Sequence, residues 1–272
     1  MTGAAPHPYF DAPRPPGAAR GVAALAHRGF ARPGGVDTGL ENSMAAFAAA
    51  VDLGFRYLET DAHGTRDGVA VALHDESLDR TTDATGTVAD LPWEVVRRAR
   101  IGGTEPVPKL EDLLGAWPDV RVNVDVKATS GVAAVAAAIE RTRAHDRVCV
   151  TSFSTDRRRA TLARLSSPVA TSAGTREVVG FLAGARLRLD AVARWALRGV
   201  HALQVPVRQG PVRVGDERTV AAAHAAGAHV HVWTINDADE MRRLIDLGVD
   251  GIVTDRADLL RDVLTERGLW PA

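Results

Sequence analysis

Two hydrophobic periods take turns along the chain. Short apolar or alternating runs are followed by segments in which apolar residues return every three or four positions. Residues 21–29 open the series as an apolar strand ending in His27, Arg28 and Gly29. A helix follows in which Met44, Phe47, Ala48 and Val51 repeat before Gly54 stops it. Residues 55–62 read as the second strand. After the turn signal Arg66-Asp67-Gly68 comes another extended run, 69–75, then a helix at 109–117 and a third strand within 120–127. In that strand Val122, Val124 and Val126 occupy one face, and Arg121, Asn123, Asp125 and Lys127 the other, an all-polar face that is unusual for a packed strand. Strand and helix then alternate through 131–144, 148–153, 155–165, 169–173, a helical stretch at 175–199, 202–207, 216–226, 229–235, 237–247, 249–254 and 257–267.

Eight strand-helix units in 272 residues predict one (β/α)8 TIM barrel over residues 21–272, preceded by a loosely held, Pro- and Gly-rich arm at 1–20. Residues 75–108 carry turn clusters and one short helical piece at 93–98, so they read as an insertion between the second strand and the second helix. A connection of that length inside a compact domain is usually functional.

Composition narrows the function classes. The formal net charge of -1 provides no global field for nucleic acid or anionic lipid, so the partner expected is a small molecule, with no nucleic acid. No run reaches the roughly 18 apolar residues that span a bilayer, and the arm has no apolar core of signal-peptide length. The single cysteine, Cys149, lies in an apolar run and reads as a small buried hydrophobe. A cytoplasmic location without stable membrane insertion is the expectation.

Chemistry collects at strand ends. Glu59 and Asp61 share a face of their strand, and two neighbouring buried carboxylates need a cation between them or a proton on one. Barrel active sites lie at the C-terminal ends of the strands, where His27, the pair Glu59 and Asp61, and the pair Asp125 and Lys127 close the first three. The three carboxylates with one divalent cation, Arg28 and Lys127 give a site that one phosphodiester would neutralise. Oxygen ligands suit Mg2+ or Ca2+ better than zinc. Imidazoles titrate near neutrality, so His27 and His74 can act as acid and base.

Other residues have plainer readings beside the functional ones. Glu41 either favours the dipole of the first helix or joins the site. His63 reads as a solvated turn residue and His231 as a hydrogen-bonded barrel histidine. Trp233 is either core or, at a barrel mouth, a wall for part of a substrate. The arginine-rich stretch at 175–199 reads as an amphipathic barrel helix with a solvated face, the rival being contact with a membrane surface or lipid-like substrate.

Taken in order, HRG at 27–29, Glu41-Asn42, Glu59-x-Asp61, His74-Asp75 followed by LDRTT at 78–82, NVDVK at 123–127, Ser152-Phe153 and VWTIN at 232–236 resemble the glycerophosphodiester phosphodiesterases across about residues 22–262. The resemblance implies a metal-containing TIM-type barrel that hydrolyses glycerophosphodiesters to sn-glycerol 3-phosphate and an alcohol. It makes His27 and His74 the acid and base, Glu59, Asp61 and Asp125 the metal carboxylates, and Arg28 and Lys127 the phosphate-binding groups. Many relatives carry glutamate where this chain has Asp125, which is one methylene shorter and must sit closer or bind through water. Two rivals stand beside this reading. One is a phospholipase-D-like barrel acting on lysophospholipids or sphingolipids through a cyclic phosphate, the other a catalytically silent barrel that binds phosphodiesters.

Overall fold

The structure is a computed structural model that describes residues 4–12, 15–16, 21–209 and 212–271. In chain order the barrel begins with β1 (Ala23–His27), α1 (Met44–Asp52) and β2 (Tyr57–Gly64). An excursion follows, made of β3 (Ala70–Ala72), α2 (Trp93–Val96), β4 (Arg100–Ile101) and β5 (Glu105–Pro106), before α3 (Leu110–Ala116). Next come β6 (Arg121–Val126), α4 (Thr129–Thr142), β7 (Val148–Thr151), α5 (Thr155–Leu162), β8 (Ala170–Thr171), α6 (Thr175–Arg186) and α7 (Asp190–Ala196). The chain ends with β9 (Ala202–Pro206), a small β10 (Arg208–Gln209) and β11 (Val212–Arg213) ladder, α8 (Glu217–Ala225), β12 (His229–Trp233), α9 (Ala238–Leu247), β13 (Gly251–Thr254) and α10 (Ala257–Glu266).

Eight parallel strands run in the order β8, β7, β6, β2, β1, β13, β12, β9, and the two ends meet in a parallel bridge between Ser172 and Ala202. There the Ala173 N–H donates to the Ala202 carbonyl at 2.8 Å and the His201 N–H to that of Thr171 at 2.9 Å. The barrel is thus nearly closed, as the alternating periods predict. Valines on the outward face of β6 pack under the helices, whose starts are fixed by side-chain caps from Ser43, Ser154, Asp216 and Asp237. The excursion owns a small core of Val71, Leu73, Leu78, Val88, Val96, Ile101 and Val107. Among the described residues no helix is long and apolar enough to cross a membrane.

The structure corrects two expectations. Part of the arm is packed: Tyr9 is fully buried among Leu25, Tyr57 and Cys149 inside the N-terminal end of the barrel. Its carbonyl accepts the Tyr57 hydroxyl at 2.6 Å, and Phe10 stacks on His229 at 4.5 Å. An aromatic plug fills the space that eight tilted strands leave at that end. Residues 1–3, 13–14 and 17–20 of the arm lie outside the described residues. The helical stretch at 175–199 is two helices, broken where Arg188 takes φ 57° and the Leu189 N–H turns back to the Gly184 carbonyl at 2.8 Å. Gly184 permits the turn because a Cβ there would lie 2.6 Å from the Ala193 nitrogen.

Candidate active site

Parallel register places His27 beside Glu59, Glu59 beside Asn123, and Asp61 beside Asp125. Residues paired across parallel strands leave the sheet on one face, so the polar parity of β2 and β6 becomes a set of side chains turned to the barrel axis. Above them opens a cavity of about 480 Å3. His27, Arg28, Glu59, Asp61, His74, Asp125, Lys127 and Trp233, the residues singled out from the sequence, all line it. The opposite wall is apolar, with Phe153, Val178, Leu182 and Val214 beside Trp233, whose ring meets Phe153 edge-on at 5.9 Å.

Both histidines are held through Nδ1 by a carboxylate, at 2.6 Å from Asp255 for His27 and 2.6 Å from Asp75 for His74. Such a bond favours the tautomer with the proton on Nδ1 and leaves Nε2 for chemistry. Burial by itself would lower the His27 imidazole, but Glu59, with Oε2 at 3.9 Å from Nε2, and Asp255 outweigh it and hold the pKa above the usual value. Asp255 is fixed in turn: Asn236 donates to its Oδ2 at 2.7 Å and accepts its backbone N–H at 2.9 Å.

A chain of ion pairs ties the excursion to the barrel. Arg80 holds Asp75 through Nε at 2.6 Å and Glu41 through Nη2 at 2.6 Å. Glu41 accepts Arg28 Nη1 at 3.0 Å, and Arg28 Nε lies 3.0 Å from Asp61 Oδ2. Lys127 Nζ sits between Asp61 Oδ1 at 2.8 Å and Asp125 Oδ2 at 2.9 Å. Glu41 therefore belongs to the site, since Ser43 caps α1. Arg28 reaches this position from a left-handed backbone, φ 56°, followed by Gly29 at φ 81°. A Cβ on that glycine would strike the Ala46 backbone at 2.6 Å.

The carboxylates do not form the single cluster expected of them. Among the described residues no three histidine, cysteine or carboxylate groups stand at the spacing of a metal cage. Lys127 is the positive charge shared by Asp61 and Asp125, while Glu59 faces His27. Burial pushes Asp61 up, but Lys127 and Arg28 bring it below its ordinary value. Glu59 is pushed up to about 7, by burial first and then by the charge of Asp61. The buried Oδ1 of Asp125 has no hydrogen-bond partner. Around the cavity six carboxylates, of Glu41, Glu59, Asp61, Asp75, Asp125 and Asp255, face four permanent cations among the described residues, Arg28, Arg32, Arg80 and Lys127. An anionic ester meets a negative rim unless further positive charge is present.

His63 differs from expectation: it is 2% exposed, and its Nε2 bonds the His74 carbonyl at 3.1 Å. β3 folds back antiparallel over the end of β2 and covers it, so His63 supports the segment that carries His74. His231 is buried as expected, 3.4 Å from Gln204, with its pKa lowered to about 4 by burial. Asp255 escaped the sequence reading altogether, although it follows β13 directly and the strand-exit rule points to it. Asp75, Arg80, Asn42 and Asn236 were visible only as letters of the family resemblance. In the structure, Asn42 donates to Asp61 Oδ2 at 3.2 Å.

Carboxylate-held imidazoles and basic side chains around the mouth of a (β/α)8 barrel are suited to hydrolysing a phosphate ester. Comparison with known proteins makes the class specific. The profile of the Glycerophosphoryl diester phosphodiesterase family matches residues 27–259. "Probable glycerophosphodiester phosphodiesterase 2" of Mycobacterium tuberculosis is 47% identical over 253 residues, covering 92% of this chain and 93% of that protein. Two solved structures share the fold. A glycerophosphodiester phosphodiesterase of Agrobacterium tumefaciens has a TM-score of 0.70 at 23% identity, covering 90% of this chain and 99% of its own. A phosphodiesterase of Oleispira antarctica in complex with the product sn-glycerol-3-phosphate has a TM-score of 0.71 at 20% identity, covering 90% and 97%. The chain belongs to the glycerophosphoryl diester phosphodiesterase family, and it is a phosphoric diester hydrolase.

Proposed function

We propose that this enzyme hydrolyses glycerophosphodiesters to sn-glycerol 3-phosphate and an alcohol, using one divalent cation, Mg2+ or Ca2+, with His27 and His74 moving the protons. The observation that carries the reading is the pair of imidazoles, each anchored through Nδ1 at 2.6 Å to its own carboxylate, on one cavity with Arg28 and Lys127. The product complex of the Oleispira relative supports the substrate class.

In this mechanism water attacks phosphorus and the bond to the alcohol oxygen breaks. The Nε2 of one imidazole accepts the proton of the water, and the Nε2–H of the other protonates the leaving alkoxide. Arg28 offers its guanidinium to the non-bridging oxygens. Lys127, on a flexible stem, can turn from Asp61 and Asp125 to the same oxygens. Trp233 and Phe153 give the alcohol an apolar wall.

The chemistry of the donors suits a hard cation, although Lys127 stands between two of them and their spacing is not that of a metal cage. Glu59, Asp61 and Asp125 offer oxygen only, Asp125 Oδ1 is an orphaned buried acceptor, and burial and the charge of Asp61 push Glu59 up to about 7. Those three residues would hold the ion, which when bound supplies positive charge against the phosphoryl oxygens. The test is a substrate panel with and without chelator. Release of glycerol 3-phosphate from glycerophosphocholine in Mg2+ or Ca2+, lost in chelator, is the expected result. A cyclic phosphate formed from a lysolipid, or binding without turnover, overturns the proposal in favour of one of its rivals.

A further inference from the structure

The α6–α7 hairpin carries a surface that hydrolysis does not explain. Of the eight large apolar side chains exposed among the described residues, five lie on it: Val179, Leu187, Leu189, Val192 and Trp195. They form a concentration, unlike the singly scattered apolar residues of an ordinary surface. Leu187 is 68% and Trp195 69% exposed. Val179 and Ala183 of α6 and Leu187, which caps its C-terminus, follow one another every four positions on one solvent-facing ridge. Between the apolar groups stand the exposed Arg188, Arg194 and Arg198, none of them ion-paired among the described residues. Arg176 and Arg186 pair with Asp156 and Asp216, and Glu177 is buried on Arg158, so Arg188, Arg194 and Arg198 leave the hairpin locally basic in a chain of net charge -1.

The ridge runs into the active-site cavity. Val178, Val179 and Leu182 of α6 line that cavity, and Phe153, 58% exposed, lies on its rim. We infer that the α6–α7 hairpin docks on an anionic lipid bilayer, with the cavity mouth turned toward the membrane surface. Tryptophan and leucine suit the boundary between headgroups and acyl chains, and arginines beside them suit lipid phosphates. The net charge of the chain does not oppose this, because fields fall off within about 8 Å at physiological salt. A second copy of the chain fits less well, since a two-fold contact through this face sets its arginines against themselves. Attachment stands independently of the proposed reaction.

Co-sedimentation of the full chain with vesicles of equal parts phosphatidylglycerol and phosphatidylcholine tests the proposal without turnover. Binding that weakens with salt is expected, reduced about tenfold or more in the double variant Arg188→Glu, Arg194→Glu and in Leu187→Ser, Trp195→Ser. Both variants should keep the wild-type circular dichroism and the wild-type rate on a dissolved glycerophosphodiester. Absence of vesicle binding by the wild type, or binding undiminished in the arginine variant, overturns the proposal. So does a wild-type dimer that either variant dissociates, which assigns the face to a second copy.

Discussion

Replacing Glu59 by glutamine should make the cation-free protein more stable and the enzyme inactive, with pH as the reporter. Glu59 is buried beside Asp61, and the side-chain bond it receives is from the Arg28 N–H at 3.2 Å. Its pKa is raised from 4.5 to about 7 in the folded chain. A raised folded value means that the folded chain keeps the proton over a range in which the unfolded chain has lost it. Stability therefore falls as pH rises from about 4.5 to about 7 and is level beyond. The loss corresponds to roughly 3 kcal/mol at most. Glutamine keeps the shape without the charge, so in chelator Glu59→Gln should match the wild type below about pH 4.5 and exceed it above about pH 7. At about 2 °C per kcal/mol for a chain of this length, the gain in Tm is at most about 6 °C. Melting curves across that range measure it. Added Mg2+ or Ca2+ should then raise the wild-type Tm and leave the variant nearly unmoved if Glu59 is one of the proposed ligands. Two chains that melt in parallel at every pH in chelator, or an equal rise of both with cation, would refute the reasoning.

Other outcomes follow from the same geometry. His74→Ala should abolish turnover while retaining the cation-induced rise in Tm; a wild-type rate removes His74 from the mechanism. Asp255→Asn weakens a charge-assisted bond of 2.6 Å to His27, which should lower kcat about 10- to 100-fold. With that negative charge gone, the pH-rate limb belonging to His27 should move to lower pH, and an unmoved limb would dismiss Asp255 as its positioning residue. Tyr9→Ala should destabilise by about 3–5 kcal/mol, read from denaturant midpoints, because it empties the buried lower end of the barrel. A change under about 1 kcal/mol would show that the plug is dispensable.

Much of this protein was written locally in the chain. Periods of 2 and 3.6 residues are properties of single elements, so the eight units, the polar parity of Asn123 and Asp125, and the placing of His27, Glu59 and Asp61 at strand ends could be read without coordinates. What depends on elements meeting could not. Asp255 is 228 residues from His27, and only closure of the barrel, with β13 beside β1, brings the two together. No run of letters says that Lys127 lies between Asp61 and Asp125, that Arg80 links the excursion to Glu41, or that Tyr9 returns to plug the barrel. His63 shared the parity of the acids, yet β3 folding back over it determined its burial. The sequence by itself determined which way each side chain leaves its own strand or helix; the tertiary structure decided which charges become neighbours, because that depends on distances through space that chain order does not encode.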